Sequence, residues 1–418
     1  MAYERFFRSG VLDIPPLPSS SYFATEPLHP NAHAEDLPEV SRDDTLDREP
    51  AVTDDSDDFD VPITDLTCRA GSRSPLRRVE NSSANERYGH SQPLSHSLAL
   101  EGNIYKTAVH SHDKPRRVFS DSSNAQIMVS TRGFISKVKL SPSQHQHVLF
   151  IPPAATHEYV DDACVLQIRN NAVMVLAHGR EDQQLSFLSL DDAQGLRSLD
   201  RPWNPVKKGG TSALTTMMQP LMFASGGYDH AVHIWAFKED LSNASPVLLS
   251  IKHTSAVHSL LPIRDTSHKL ISAGADCNVR LWDLSAERVL NTLKPSNTPY
   301  HAHATESPFC TLLEVSHREL QYEIHDHRMV PEHPVQRFGY DAPEPHGRFP
   351  KGDFWSHFFA SGTRNGEVRL WDLRNLGGQP ASVSCFGTDH VVQVLASASR
   401  IVACSRRGEL ARIKIAQA

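Results

Sequence analysis

The stretch "LISAGADCNVRLWDL" (270–284) writes a strand, a tight turn and a second strand, and variants of it recur at 223–237 and 359–373. A repeat constrains a fold more than any composition does, because every copy must solve the same packing problem. The closing tryptophans, Trp235, Trp282 and Trp371, stand 47 and then 89 residues apart. The second interval is about twice the first, so a degenerate copy is expected between them.

That copy is "LEVSHRELQYEIHDHR" (313–328), which puts His325 in the tryptophan slot and Asp326 after it. Carrying the interval outward places Leu188, Val138 and Ile413 in the same slot. Slots at 138, 188, 235, 282, 325, 371 and 413 define seven units spaced by 42–50 residues. The sequence around them consists of apolar runs of four to eight residues broken by Gly, Asn, Asp and Pro, the texture of many short strands. Helical periodicity is absent.

The endings "IWAF", "LWDL" and "LWDL" resemble WD repeats, the four-stranded blades of a β-propeller. The resemblance implies an all-β fold, a seven-bladed WD-repeat β-propeller over 103–418, preceded by a disordered N-terminal tail over 1–102. One blade cannot bury both faces of its sheet, whereas a closed ring of blades can. Only "KIAQA" follows the seventh slot, too little for that blade's outermost strand. The segment "NIYKTAV" (103–109) is therefore expected to supply it and close the ring.

The tail reads as disordered because it is rich in Pro, Ser and acidic residues and poor in apolar clusters. Ten of the 28 prolines lie there. Residues 35–60 carry twelve Asp or Glu against two Arg, a local −10 within a chain of net charge −7, so the rest is near +3. A nearly neutral ring gives direct nucleic-acid binding little support. With no apolar stretch long enough to span a membrane and no signal-peptide pattern, a cytoplasmic or nuclear protein is expected. The basic stretches "CRAGSRSPLRR" (68–78) and "RRVFS" (116–120) resemble sites for basic-directed kinases. Six scattered cysteines without a CxxC read as reduced thiols, mostly in strands.

In WD repeats that match the pattern fully, a His, a Ser or Thr, an Asp and the Trp form a buried hydrogen-bonded chain. The resemblance carries this onto His253, Ser272, Asp276 and Trp282. It carries part of it onto Ser225, Asp229 and Trp235, where Gly210 replaces the His, and onto Ser361 and Trp371, where Asn365 replaces the Asp. These are read as structural residues: no G-x-S-x-G elbow accompanies them, no phosphate-binding glycine loop is present, and no enzyme activity is expected. The pairs His301/His303 and His325/His327 lie at i, i+2, on one side of a strand. They lack cysteine or carboxylate partners at finger-like spacing, so neither a metal nor a cofactor is expected, and the chain offers no small-molecule substrate site.

Two surfaces are candidates for binding proteins. The long insertion at 337–358 combines Phe338, Tyr340, Phe349, Phe354 and Trp355 with Arg348 and Lys351, residue types that anchor interfaces. The ending Trp371-Asp372-Leu373-Arg374 resembles the box of WD-repeat proteins that dock on the adaptor of cullin-4 ubiquitin ligases, and Asp326-His327-Arg328 repeats its acidic-x-Arg close. That resemblance implies adaptor contact through Trp371, Asp372, Arg374, Asp326 and Arg328, with substrate held on the opposite loops. The expected function is a non-enzymatic protein–protein scaffold, in its sharper form a substrate receptor of such a ligase. The alternative is a chromatin-associated propeller whose acidic tail meets histones or other basic partners.

Overall fold

Stretches such as 232–237, Val-His-Ile-Trp-Ala-Phe, gather the β-branched and aromatic residues that strands favour. Strict polar alternation is missing because neighbouring sheets cover both faces of each sheet. Met222–Gly227, for example, is buried at every position. The computed structural model describes residues 98–417 apart from 106–113, 122–123, 141–144, 152–158, 169–170, 180–183, 191–195, 203–208, 220, 239–240, 242–243, 251–252, 264–267 and 330–331. The expected tail, its acidic stretch and the 68–78 kinase-like motif lie outside the described residues, except for the start of one strand.

That strand is β1 (Leu98–Tyr105). The next four, β2 (Pro115–Ser120), β3 (Gln126–Ser130), β4 (Ile135–Leu140) and β5 (His145–Ile151), form the first blade. The second holds β6 (Val160–Ile168), β7 (Asn171–His178), β8 (Leu185–Ser189) and β9 (Arg197–Leu199). The third holds β10 (Thr211–Thr216), β11 (Met222–Gly227), β12 (Val232–Phe237) and β13 (Ala244–Leu248). The fourth holds β14 (Val257–Pro262), β15 (Lys269–Gly274), β16 (Val279–Asp283) and β17 (Arg288–Leu293). The fifth is β18 (Pro299–Ala304), β19 (Cys310–Val315), β20 (Tyr322–Asp326) and β21 (Gln336–Phe338). The sixth is β22 (Asp353–Trp355), β23 (Phe358–Gly362), β24 (Glu367–Asp372) and β25 (Ala381–Ser384). The last three strands, β26 (Val391–Ser397), β27 (Arg400–Ser405) and β28 (Leu410–Gln417), need a fourth, and β1 provides it.

All seven slot residues fall on the third strand of a blade, from Val138 on β4 to Ile413 on β28. The closing strand begins upstream of the expected Asn103: Leu100 lies opposite Ile415 and Gly102 opposite Ile413. First and last segments thus pair in one sheet. The innermost strands β2, β6, β10, β14, β18, β22 and β26 each pack on the next, and β26 returns to β2. The described strands form a closed seven-bladed propeller.

Six of the seven inner strands bulge at the same place, their second residue, beside Arg116, Asp161, Ser212, His258, Tyr300 and Val392. A bulge re-aims side chains and leaves backbone groups free to pair elsewhere. Here they reach the neighbouring blade. Arg116 Nε donates to Val160 O (2.9 Å), Ser212 Oγ to Val257 O (2.6 Å), and Gln393 both accepts from Val118 N and donates to Val118 O. The seams are too tight for a side chain at Gly226, where a Cβ would stand 2.5 Å from Val257 Cγ1. The turns between second and third strands share a left-handed third residue, Gly133, His230, Cys277, Gly366 or Gly408, as three-residue hairpin loops demand.

Cys164, Cys310, Cys385 and Cys404 are free thiols, three of them buried. Burial pushes the Cys385 thiol up to about 11, which keeps it protonated and unreactive.

Candidate functional site

Antiparallel order within each blade assigns every connection to one of two faces. Turns from first to second and from third to fourth strands lie on one face; turns from second to third strands, and the links between blades, lie on the other. Arg328 and Arg374 follow third strands, so they share the first face. Of the 337–358 insertion, residues 339–352 link β21 to β22, which places that stretch on the second, while Phe354 and Trp355 belong to β22 itself.

The insertion turns inward across the channel mouth. Arg348 donates through Nη1 to Tyr228 Oη (2.6 Å) and through Nη2 to Ser212 O (3.0 Å), with Asp161 Oδ2 at 3.7 Å. Its carbonyl lies 2.8 Å from His301 Nε2. Phe349 is capped by the Arg116 guanidinium, 3.7 Å from the ring centroid. Lys351 joins the backbone of β26, donating to Val392 O and accepting from Val394 N. Several of these contacts fall at the bulges, on Arg116, Asp161, Ser212 and Val392, and together they reach blades one, two, three, five and seven. The sixth blade's own inner strand, β22, pairs with β23 without a bulge.

The charges follow from this burial. Burial alone would lower the Arg348 guanidinium, but the Tyr228 hydroxyl and Asp161 outweigh it and raise it. Burial lowers the Lys351 ammonium, and nearby Arg117 lowers it further. Asp162 would be raised by burial, yet Arg117, Lys351 and the Leu214 N–H hold it below the ordinary value. Beneath the insertion Glu314 accepts from His303 Nε2 (2.7 Å), His346 Nε2 (2.8 Å) and Gly352 N (2.9 Å). Burial opposes its ionisation, and the two imidazole bonds overcome that to hold the carboxyl well below the usual range.

The six candidate aromatic and arginine residues of the insertion therefore differ in fate. Phe338 is buried, and Tyr340 and Phe354 pack against the same cluster of Leu312, Tyr322, Phe359 and Trp371. Arg348 is spent inward. Trp355 stacks on Phe358 (6.0 Å, 12°). Phe349 alone among the six is exposed, at 36 %.

On the opposite face the two acidic-x-Arg endings have one geometry. Arg374 donates through its backbone N and Nε to Asp372 Oδ1, both at 3.0 Å, and through Nη2 to Asp372 Oδ2 at 2.7 Å. Arg328 makes the same three bonds to Asp326, at 2.9, 3.0 and 2.7 Å. Both guanidiniums project into solvent, with side chains 65 % and 61 % exposed. Hydrogen bonding from Arg328 holds the Asp326 carboxyl down to about 2, and Arg374 lowers Asp372 likewise. The loops between the first and second strands of these blades are tied by Ser356 Oγ donating to Glu306 Oε1 (3.1 Å). Exposed Phe309 underlies Arg328 at 4.4 Å, and exposed Met329 follows it. Trp371, expected among the adaptor-facing residues, is instead buried at 3 % in the core, since its strand position faces the fifth blade.

The blade networks match their expectation incompletely. His253 lies 2.8 Å from Ser272 Oγ through Nε2 and 3.1 Å from Asp276 Oδ1 through Nδ1. Trp282 does not complete the chain: among the described residues its Nε1 has no partner. In the third blade Trp235 Nε1 does donate to Ser225 Oγ (2.9 Å). Asp229, lacking the His that Gly210 replaces, is gripped instead by both terminal nitrogens of Arg201 at 2.9 Å. In the sixth blade Ser361 pairs with Tyr322 Oη, a residue of the fifth blade.

Other sequence candidates resolve by burial. Arg117 of the 116–120 motif is locked to Asp162 at 2.6 Å and Arg116 lies over Phe349, so the folded ring does not present these arginines to a kinase. One histidine of each pair meets a glutamate: His303 meets Glu314, and His325 meets Glu323, two residues before it. Among the described residues no group of His, Cys, Asp and Glu has metal-binding geometry.

Comparison with known families gives a match to the WD domain, G-beta repeat, over residues 246–283. That span takes part of β13 from the third blade and β14 to β16 from the fourth, so the sequence repeat straddles a blade seam. No curated protein matches the chain. With its fourth blade matching that repeat and six further four-stranded blades completing one ring, the findings support a propeller of WD-repeat type.

Proposed function

We propose that this protein is a non-enzymatic protein–protein interaction scaffold, working in the cytoplasm or nucleus, whose docking face carries Arg328 and Arg374. The observation that supports this is the pair of identical, exposed Asp-x-Arg brackets on adjacent blades. Each bracket holds a long side chain in one conformation before a partner arrives, which reduces the ordering entropy lost on binding. Each guanidinium keeps Nη1 free of its aspartate for a partner's carboxylate or carbonyl. Phe309 and Met329 beside Arg328 add apolar surface of the kind that interface centres use.

The resemblance of 359–374 to the adaptor-docking box makes the cullin-4 ligase adaptor the partner to test first, and the protein a substrate receptor of that ligase. Affinity purification of wild type and Arg374→Ala, followed by mass spectrometry, tests it. The adaptor is expected with wild type and depleted at least about tenfold in the variant, as for an interface arginine. Absence of every ligase subunit from the wild-type sample would reject the ligase reading.

A further inference from the structure

The geometry points to an anion site of phosphate class in the wedge between the seventh and first blades. A cavity of about 260 Å³ opens there, lined by Lys139, Arg400 and Arg412 with Asn124, Gln126, Leu140 and Val402. Three cations and two amides face one space, and no carboxylate lines it.

The placement follows from strand parity. On β28, Ala411 and Ile413 pack with the core shared by blades six and seven, so Arg412 between them turns toward blade one. Val402 stands across from Arg412 on β27, and Arg400 lies two residues before it. Several other seam and sheet cations are neutralised: Arg117 by Asp162, Arg201 by Asp229, Arg280 by Asp276, Arg369 by Glu367 and Lys137 by Asp121. The wedge gathers three cations without such a partner. Among the described residues Lys139, Arg400 and Arg412 form no ion pair; Arg400 reaches only the amide oxygen of Asn124. Arg412 Nε is buried with no acceptor among the described residues. Three lining cations without a counter-charge among the described residues favour an oxyanion in the cavity.

Size and charge narrow the ligand. The cavity is smaller than the roughly 300–1,000 Å³ of drug-sized sites, so it suits a compact oxyanion. Arginine forks match tetrahedral oxyanions geometrically, and three unpaired positive charges favour a dianion over chloride. Inorganic phosphate and a phosphomonoester present the same group.

Isothermal titration of the full-length chain with inorganic phosphate, against chloride at equal ionic strength, tests the site. O-phosphoserine in a parallel arm separates the two sources: tighter binding than phosphate assigns an ester, equal or weaker binding the free ion. Saturable phosphate binding is expected, weakened at least about tenfold by Arg412→Gln, as loss of a charge-assisted hydrogen bond requires. Should that variant fail to fold by circular dichroism, Lys139→Gln and Arg400→Gln, at less buried positions, give the same reading. No binding beyond the chloride control, or equal binding by the folded variants, overturns the proposal.

Discussion

Replacing Arg348 by Met tests whether the insertion holds the ring together. The substitution keeps most of the apolar stem and removes the guanidinium, so packing changes little while three polar contacts disappear. Lost are the bonds to Tyr228 Oη at 2.6 Å and Ser212 O at 3.0 Å, and the charge 3.7 Å from Asp161. Tyr228 Oη still donates to Asp161 (2.5 Å), but that carboxylate keeps only the field of Arg116 as a buried counter-charge. Removing one partner of a buried, hydrogen-bonded charge typically costs about 3–5 kcal/mol. Because the contacts join the insertion to blades two and three, the loss should appear as global destabilisation and as local opening at 341–352. Urea denaturation monitored by tryptophan fluorescence reads the first, and limited proteolysis with mass mapping reads the second. A loss below about 1 kcal/mol, the range of exposed ion pairs, without new cleavage in 341–352, would refute the assignment of the insertion as a closure of the channel mouth.

The two best-matched blades should respond differently to tryptophan replacement. Trp282→Ala should cost about 3–5 kcal/mol, as for other large buried aromatics. Trp235→Phe should cost about 1 kcal/mol more than Trp282→Phe, since only Trp235 satisfies a buried serine; equal costs by urea denaturation would contradict the bonding described. Acid should destabilise the ring early. Burial holds His178 and His233 down to about 4, His258 to about 3 and His301 well below the ordinary value. Below about pH 6.5 the unfolded chain binds protons that these folded sites refuse, so stability is full above that pH and falls as pH drops toward 4. Each histidine contributes up to about 1.4 kcal/mol per pH unit, and urea midpoints that stay flat from about pH 7 to 5 would contradict their neutral burial.

The repeat made the architecture legible because a propeller's period is imposed by one packing problem solved seven times. Even Val138, Leu188, His325 and Ile413, which share no chemistry with tryptophan, could be located by interval alone. Closure by an N-terminal strand was also readable, since "KIAQA" cannot make an edge strand, though its register was not: an outer strand carries few apolar constraints, and β1 begins at Leu98 instead of Asn103. The acidic-x-Arg brackets were visible as residues because their chemistry is local, spanning two positions.

What only tertiary structure decided is long-range pairing. Arg201 substitutes for the missing His from 28 residues before Asp229, and nothing in its local sequence marks it. Glu314 finds His346 across 32 residues, and Arg348 finds Ser212 across 136. An aromatic and basic loop has one composition whether it faces water or a channel, so the inward turn of the 337–358 insertion follows from the bulged inner strands it meets. Seven similar sheets specify the ring through local periodicity; which polar residues close its mouth and its seams depends on which strands that ring brings together.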